Sequence, residues 1–138
     1  TIEKSFTPQS IPTGGTSVLT FIITNPNTDN ALSGVAFTDL LPANVSETGA
    51  VSTPQCNGGT VTVTPSGGRR LITLTGGSIP ANSYCTVTIN TTSATIGTYP
   101  NTTGAVTALI NGTPVGTDTA AATLTVTAAH PALSILAG

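Results

Sequence analysis

The chain has no methionine and no tryptophan, one histidine, three basic residues and five acidic ones. Without a methionine it does not start at an initiator codon. It is expected to be a processed mature protein or a piece of a longer one. No cationic, apolar leader is present, and no apolar run approaches the length of a membrane span, so membrane insertion of this segment is not expected. The cations Lys4, Arg69 and Arg70 are too few and too dispersed to neutralise a run of phosphates. That excludes nucleic acid, and an anionic membrane surface, as partners. Helix formers such as Glu, Lys and Gln are scarce, which argues against helices. The single His130 has no Cys, Asp or Glu near it in sequence. With no Gly-x-Ser-x-Gly elbow and no phosphate-binding glycine pattern, the chain is not expected to be an enzyme or to need a cofactor.

What is abundant is threonine, 30 of 138 residues, together with 15 glycines and 10 prolines. The β-branched threonine side chain is stiff and suits a pleated surface, and its hydroxyl keeps that surface wet without charge. Gly, Pro and Asn clusters punctuate alternating segments. Residues 2–6 read as a first strand ended by Pro8. Residues 16–24 read as a central strand and 34–40 as the next. An irregular stretch covers 43–58. Strands at 60–64 and 70–75 flank a turn at 65–68, and Gly76-Gly77 is expected to break the second of them. Residues 83–91 alternate clearly. Gly97 to Asn101 leads into a strand near 103–110, Asn111-Gly112 is a turn, and 117–127 is a late strand.

This pattern predicts an all-β, immunoglobulin-like Greek-key β-sandwich of about 7–9 strands. The phases place Leu19, Phe21, Ile23, Val35, Phe37, Cys85, Val87, Ile89, Leu124 and Val126 inward. The sandwich is expected over residues 1–127. Residues 128–138 are expected to form a linker and an apolar terminal strand. That strand, through Leu133, Ile135 and Leu136, either folds back on its own sheet or pairs with the edge of a neighbour.

Several residues carry specific expectations. Cys56 and Cys85 form a disulfide in an oxidising compartment or remain two buried thiols. With 28 residues between them, a bridge would stabilise the domain by roughly 3–4 kcal/mol on the chain-entropy model. Asn25, Asn27 and Asp29 have the spacing of an oxygen-ligand calcium loop, though the rest of such a motif is missing and turn chemistry explains them as well. Lys4, the only lysine, and Asp39, at the end of another strand, are candidates for an isopeptide crosslink, in which a buried lysine is joined to an Asn or Asp with a nearby acid assisting; the alternative is a snorkelling lysine paired with a carboxylate. Asn44, Asn90, Asn101 and Asn111 lie in Asn-x-Ser/Thr sequons and are candidate glycosylation sites, or chance products of a Thr-rich chain. Arg69-Arg70 reads as a solvated turn. Tyr84 and Tyr99 are the only tyrosines available to a carbohydrate or host-protein binding face.

The ordered motifs carry a resemblance. Lys4-Ser5-Phe6-Thr7-Pro8 is followed by Ile11-Pro12, Gly14-Gly15-Thr16-Ser17 and Leu19-Thr20-Phe21. Then come Thr24-Asn25-Pro26-Asn27, Leu32-Ser33-Gly34-Val35-Ala36-Phe37-Thr38-Asp39, Gly58-Gly59-Thr60-Val61, Ile79-Pro80-Ala81 and Asn101-Thr102-Thr103-Gly104-Ala105-Val106. Over residues 2–127 the chain resembles the DUF11-like repeat domains of bacterial and archaeal surface proteins. The resemblance implies an immunoglobulin-like sandwich, tandem repetition in large secreted proteins, a structural or adhesive role, pairing of Cys56 with Cys85, and no catalytic residues. Pro131-Ala132-Leu133-Ser134-Ile135 resembles the opening strand of a following repeat, but the Lys-x-Phe-x-Pro that should follow is absent. The expectation is an extracellular fibre, pilus-like filament or sheath subunit, or a repeat from an adhesin stalk, partnered by identical subunits or neighbouring repeats.

Overall fold

The computed structural model describes residues 1–129. Among them are twelve strands and no helix. In chain order these are β1 (Ile2–Thr7), β2 (Ser10–Pro12), β3 (Ser17–Asn25), β4 (Leu32–Leu40), β5 (Ser46–Glu47), β6 (Thr60–Ser66), β7 (Arg69–Ile79), β8 (Ser83–Thr92), β9 (Gly97–Thr102), β10 (Thr107–Ile110), β11 (Thr113–Val115) and β12 (Ala121–Thr127).

One sheet has the order β1-β3-β8-β5. The facing layer is built from β11-β10-β4-β7-β6 and β2-β12-β9. These two pieces are joined where the chain passes from β9 to β10, with the Gly104 N–H donating to the Thr38 carbonyl at 2.8 Å. The first strand changes sheets at Pro8, which follows a cis peptide bond. Before it, β1 pairs antiparallel with β3; after it, β2 pairs parallel with β12. The result is a two-layer β-sandwich.

Alternation decides which residues enter the core. In β3, Leu19, Phe21 and Ile23 are buried, and in β8, Cys85, Val87 and Ile89 oppose them in register. From the other layer Val35, Phe37, Leu124 and Val126 complete the expected inward set, and all of these are buried. Ile72, Leu74, Ile79 and Leu41 add to it, each fully buried. A side chain of this size contributes roughly 1.5–3 kcal/mol when withdrawn from water. Phe21 and Phe37 meet across the layers with ring centroids 4.7 Å apart, a tilted aromatic contact.

The strand count exceeds the expected 7–9 because four short segments escape a periodicity reading: β2, β5, β9 and β11. β2, β5 and β11 have only two or three residues, too few for a detectable period, and the six-residue β9 carries Pro100 within it. Gly76-Gly77 does not end β7. Gly76 takes φ +72, and the ladder shifts register between the Val35–Gly77 and Phe37–Leu74 pairs. The glycines therefore make a bulge inside a continuous strand. The expected strand over 103–110 is interrupted: β9 ends at Thr102 and β10 begins at Thr107. The last strand begins at Ala121 and not at Thr117.

Candidate functional site

The strand phases bring three polar side chains into the interior. In β1, Ile2, Lys4 and Phe6 share the buried face. In β4 that face carries Val35, Phe37 and Asp39, and in β9 it carries Asn101. Lys4 thus reaches from one layer to two strands of the other. Its Nζ donates to Asp39 Oδ2 at 2.7 Å and to the main-chain carbonyl of Asn101 at 3.3 Å. Both charged side chains are 0% exposed, so Lys4 does not snorkel. The Phe6 and Phe21 rings lie 5.6 and 5.8 Å from Nζ, a cation–π setting that also keeps water out. Burial pushes the Lys4 ammonium below its ordinary value, against the opposing charge and hydrogen bond of Asp39. Two buried polar atoms in this cluster, Asp39 Oδ1 and Asn101 Nδ2, have no hydrogen-bond partner among the described residues.

Asn101 was legible in the sequence only as a glycosylation sequon, and burial withdraws it from solvent. That corrects the expectation for this one of the four. Asn44, Asn90 and Asn111 are exposed. The signal for its other role was its phase between exposed Pro100 and Thr102.

A second tie joins the layers elsewhere. Cys56 and Cys85 form a disulfide. Cys85 belongs to β8, while Cys56 lies in the loop before β6 and accepts at its carbonyl from the Ser78 N–H of β7. Gly77 passes so close that a Cβ there would lie 2.9 Å from Cys56 Sγ.

Arg69-Arg70 is not a solvated turn. Arg69 Nε donates to the Leu41 carbonyl at 2.7 Å. Arg70 makes a two-pronged pair with Glu47, Nε to Oε1 at 2.9 Å and a second nitrogen to Oε2 at 2.7 Å. The Arg70 hydrogen bonds hold the Glu47 carboxyl below the ordinary carboxylate range. In the 25–30 loop, Asn25 is the organiser: its Nδ2 donates to the carbonyls of Asn30, Ile79 and Pro80. Its Oδ1 accepts from both nitrogens of Asn27, so the oxygen a calcium ion would take from Asn25 is engaged in turn chemistry. Tyr99 is structural as well, its hydroxyl donating to the Thr95 carbonyl at 2.7 Å, the tie of a tyrosine corner. Tyr84 is 62% exposed and borders a polar cleft with Asn57, Ser83 and Thr86. His130, Leu133, Ile135 and Leu136 lie outside the described residues.

No curated protein matches the chain. Among solved structures, a cohesin module from a Clostridium perfringens family 33 glycoside hydrolase is similar, with TM-score 0.67 and 11% identity, over 88% of this chain and 92% of that one. BcpA, the major pilin subunit of Bacillus cereus, matches with TM-score 0.56 and 13% identity, over 91% of this chain and 39% of the pilin. The full-length major pilin SpaD of Corynebacterium diphtheriae matches with TM-score 0.55 and 14% identity, over 90% of this chain and 34% of the pilin. At these identities the likeness is one of fold, and it places the chain among β-sandwich domains of the cohesin and pilin kind. Over residues 1–126 the chain matches the family described as domain of unknown function DUF7933, and it belongs to that family.

Proposed function

We propose that this domain is a non-catalytic structural building block of an extracellular fibre, pilus-like filament or sheath. The observation that carries the reading is the pair of buried ties between the layers, the Cys56–Cys85 disulfide and the Lys4–Asp39 ion pair beside Asn101. A sandwich tied twice through its interior resists separation of its sheets, and it presents a surface of Thr, Ser and Asn suited to the outside of a cell. A disulfide fits an oxidising compartment. The sandwich likeness to major pilins supports the same reading, as does the DUF11-like motif string. Among the described residues no group of three or more His, Cys, Asp or Glu side chains is arranged to hold a metal.

Assembly proceeds by strand exchange in this reading: residues 1–127 form the sandwich, and residues 128–138 carry a strand whose Leu133, Ile135 and Leu136 enter a neighbouring subunit. An apolar cleft of about 230 Å³, lined by Ile23, Leu32, Val35, Val106, Ala108 and Ile110, offers such side chains a seat. Deletion of residues 131–138 is expected to leave the domain folded and abolish polymers seen by electron microscopy and light scattering. Polymerisation of the truncated chain would exclude strand donation.

One observation favours a second reading, an adhesive module. Tyr84 stands exposed beside the polar cleft, where a sugar ring can stack on it. Binding on a glycan array that disappears in Tyr84→Ala would support it, and an array without hits would count against it.

A further inference from the structure

The polar cluster between the layers is poorly satisfied as it stands. An ion pair removed from water loses much hydration, and its attraction compensates only when every remaining lone pair and proton is hydrogen-bonded. Here Asp39 Oδ1 and Asn101 Nδ2 both lack a partner among the described residues. Unpaired buried polar atoms are uncommon in native proteins and mark a site where something else happens.

We propose that Lys4 and Asn101 become joined by an amide between Lys4 Nζ and Asn101 Cγ, formed by the folded protein itself with Asp39 as proton carrier. The Lys4 ammonium first passes a proton to the Asp39 carboxylate it already contacts at 2.7 Å. The uncharged amine then attacks Asn101 Cγ. That carbon is two bonds beyond the Cα of a residue whose main-chain oxygen already lies 3.3 Å from Nζ. The N–Cγ bond forms, the amine gives up a second proton to Nδ2 through Asp39, the Cγ–Nδ2 bond breaks, and neutral ammonia leaves. Ammonium, carboxylate and carboxamide become a secondary amide, a carboxylic acid and ammonia, with no net change in charge or oxidation state.

Three features of the site promote this reaction. Burial between Phe6 and Phe21 favours the uncharged, nucleophilic amine. The sheets hold the reactants together, which replaces a bimolecular encounter with a positioned one. Exclusion of water protects the carboxamide from hydrolysis. The product also removes the defects of the starting state: the orphaned Nδ2 departs, the buried charges vanish, and protonated Asp39 gains a donor for the new amide. Asn101 is the better acyl partner, because Asp39 is needed as the proton carrier and its carboxylate is a poor electrophile. The inference concerns the interior of one domain and stands whether or not the domain forms fibres.

The test is the intact mass of the purified chain after disulfide reduction. The expected value is about 17 Da below the sequence mass, the loss of one ammonia. Arg69 and Arg70 supply an independent readout. Trypsin cuts there in the denatured, reduced chain, and the fragment holding Lys4 should remain bonded to the fragment holding Asn101. Lys4→Met and Asp39→Asn should each restore the full mass and release the two fragments, with circular dichroism reporting whether each variant folds. A full wild-type mass overturns the proposal, whatever the variants do. A deficit of about 18 Da, the loss of water, overturns it in favour of a Lys4–Asp39 amide.

Discussion

The two ties between the layers differ in kind. The Cys56–Cys85 bridge joins β8 to the loop that borders β6 and β7. The Lys4 cluster joins β1 to β4 and β9. The first is an apolar, covalent tie whose principal effect is on the unfolded chain, where it restricts a loop. The second, in the structure, is polar and acts on the folded state, where the Lys4 and Asp39 side chains and the Asn101 main-chain carbonyl, from three strands, are brought together.

The largest effect is expected at the polar tie. Asp39→Ala leaves the Lys4 ammonium buried without a counterion, and the cost should be about 3–5 kcal/mol, read from urea denaturation with the disulfide intact. A cost below about 1 kcal/mol would show that the cluster is not a tie at all. Next comes the bridge: Cys56→Ser with Cys85→Ser should cost about 3–4 kcal/mol. The two lesions together sharpen the comparison. If the ties act independently, their costs in urea denaturation add to within about 0.5 kcal/mol; a larger discrepancy means that they share one cooperative unit.

A smaller effect is expected at Gly77, where any side chain meets Cys56 Sγ and the Cys56 carbonyl. Gly77→Val should cost about 1–3 kcal/mol through overpacking, measured by thermal unfolding, and much of that should disappear when the cysteines are replaced. The smallest effect concerns Glu47. Its folded carboxyl titrates below the ordinary value of 4.5, so the stabilisation is present above that pH and lost as pH falls through the lowered value. Glu47→Gln should flatten that part of the stability profile by lowering stability at neutral pH, by about 1 kcal/mol or less because the pair is partly exposed, while leaving stability in acid unchanged.

Much of this was legible in the sequence. Alternation in 16–24 and 83–91 located the two central strands and the core that faces them, because period two is unambiguous over nine residues. Two cysteines in a Thr-rich chain made the bridge easy to anticipate. The polar tie was only half legible. Lys4 shares a phase with Ile2 and Phe6, and Asp39 with Val35 and Phe37, so a buried pair could be suspected. Asn101 lies 97 positions from Lys4, and its strand is short, broken after Thr102 and disguised as a sequon. Local pattern carries no information about which strands face each other across a sandwich. The bulge at Gly76-Gly77 was misread for a related reason, since a glycine pair inside a strand and one at its end look alike.

The change of sheets at Pro8 has a mechanical consequence. Because β2 and β12 run parallel, a pull on the two ends of the domain slides them past each other in opposite directions. Their shared ladder, with Thr125 N–H on the Gln9 carbonyl and Thr13 N–H on the Thr127 carbonyl, is then strained all at once in shear, and cannot unzip bond by bond. An amide at Lys4 would send the same pull straight to β9, which flanks β12 on its other side. By either route, β12 is the strand on which tension converges.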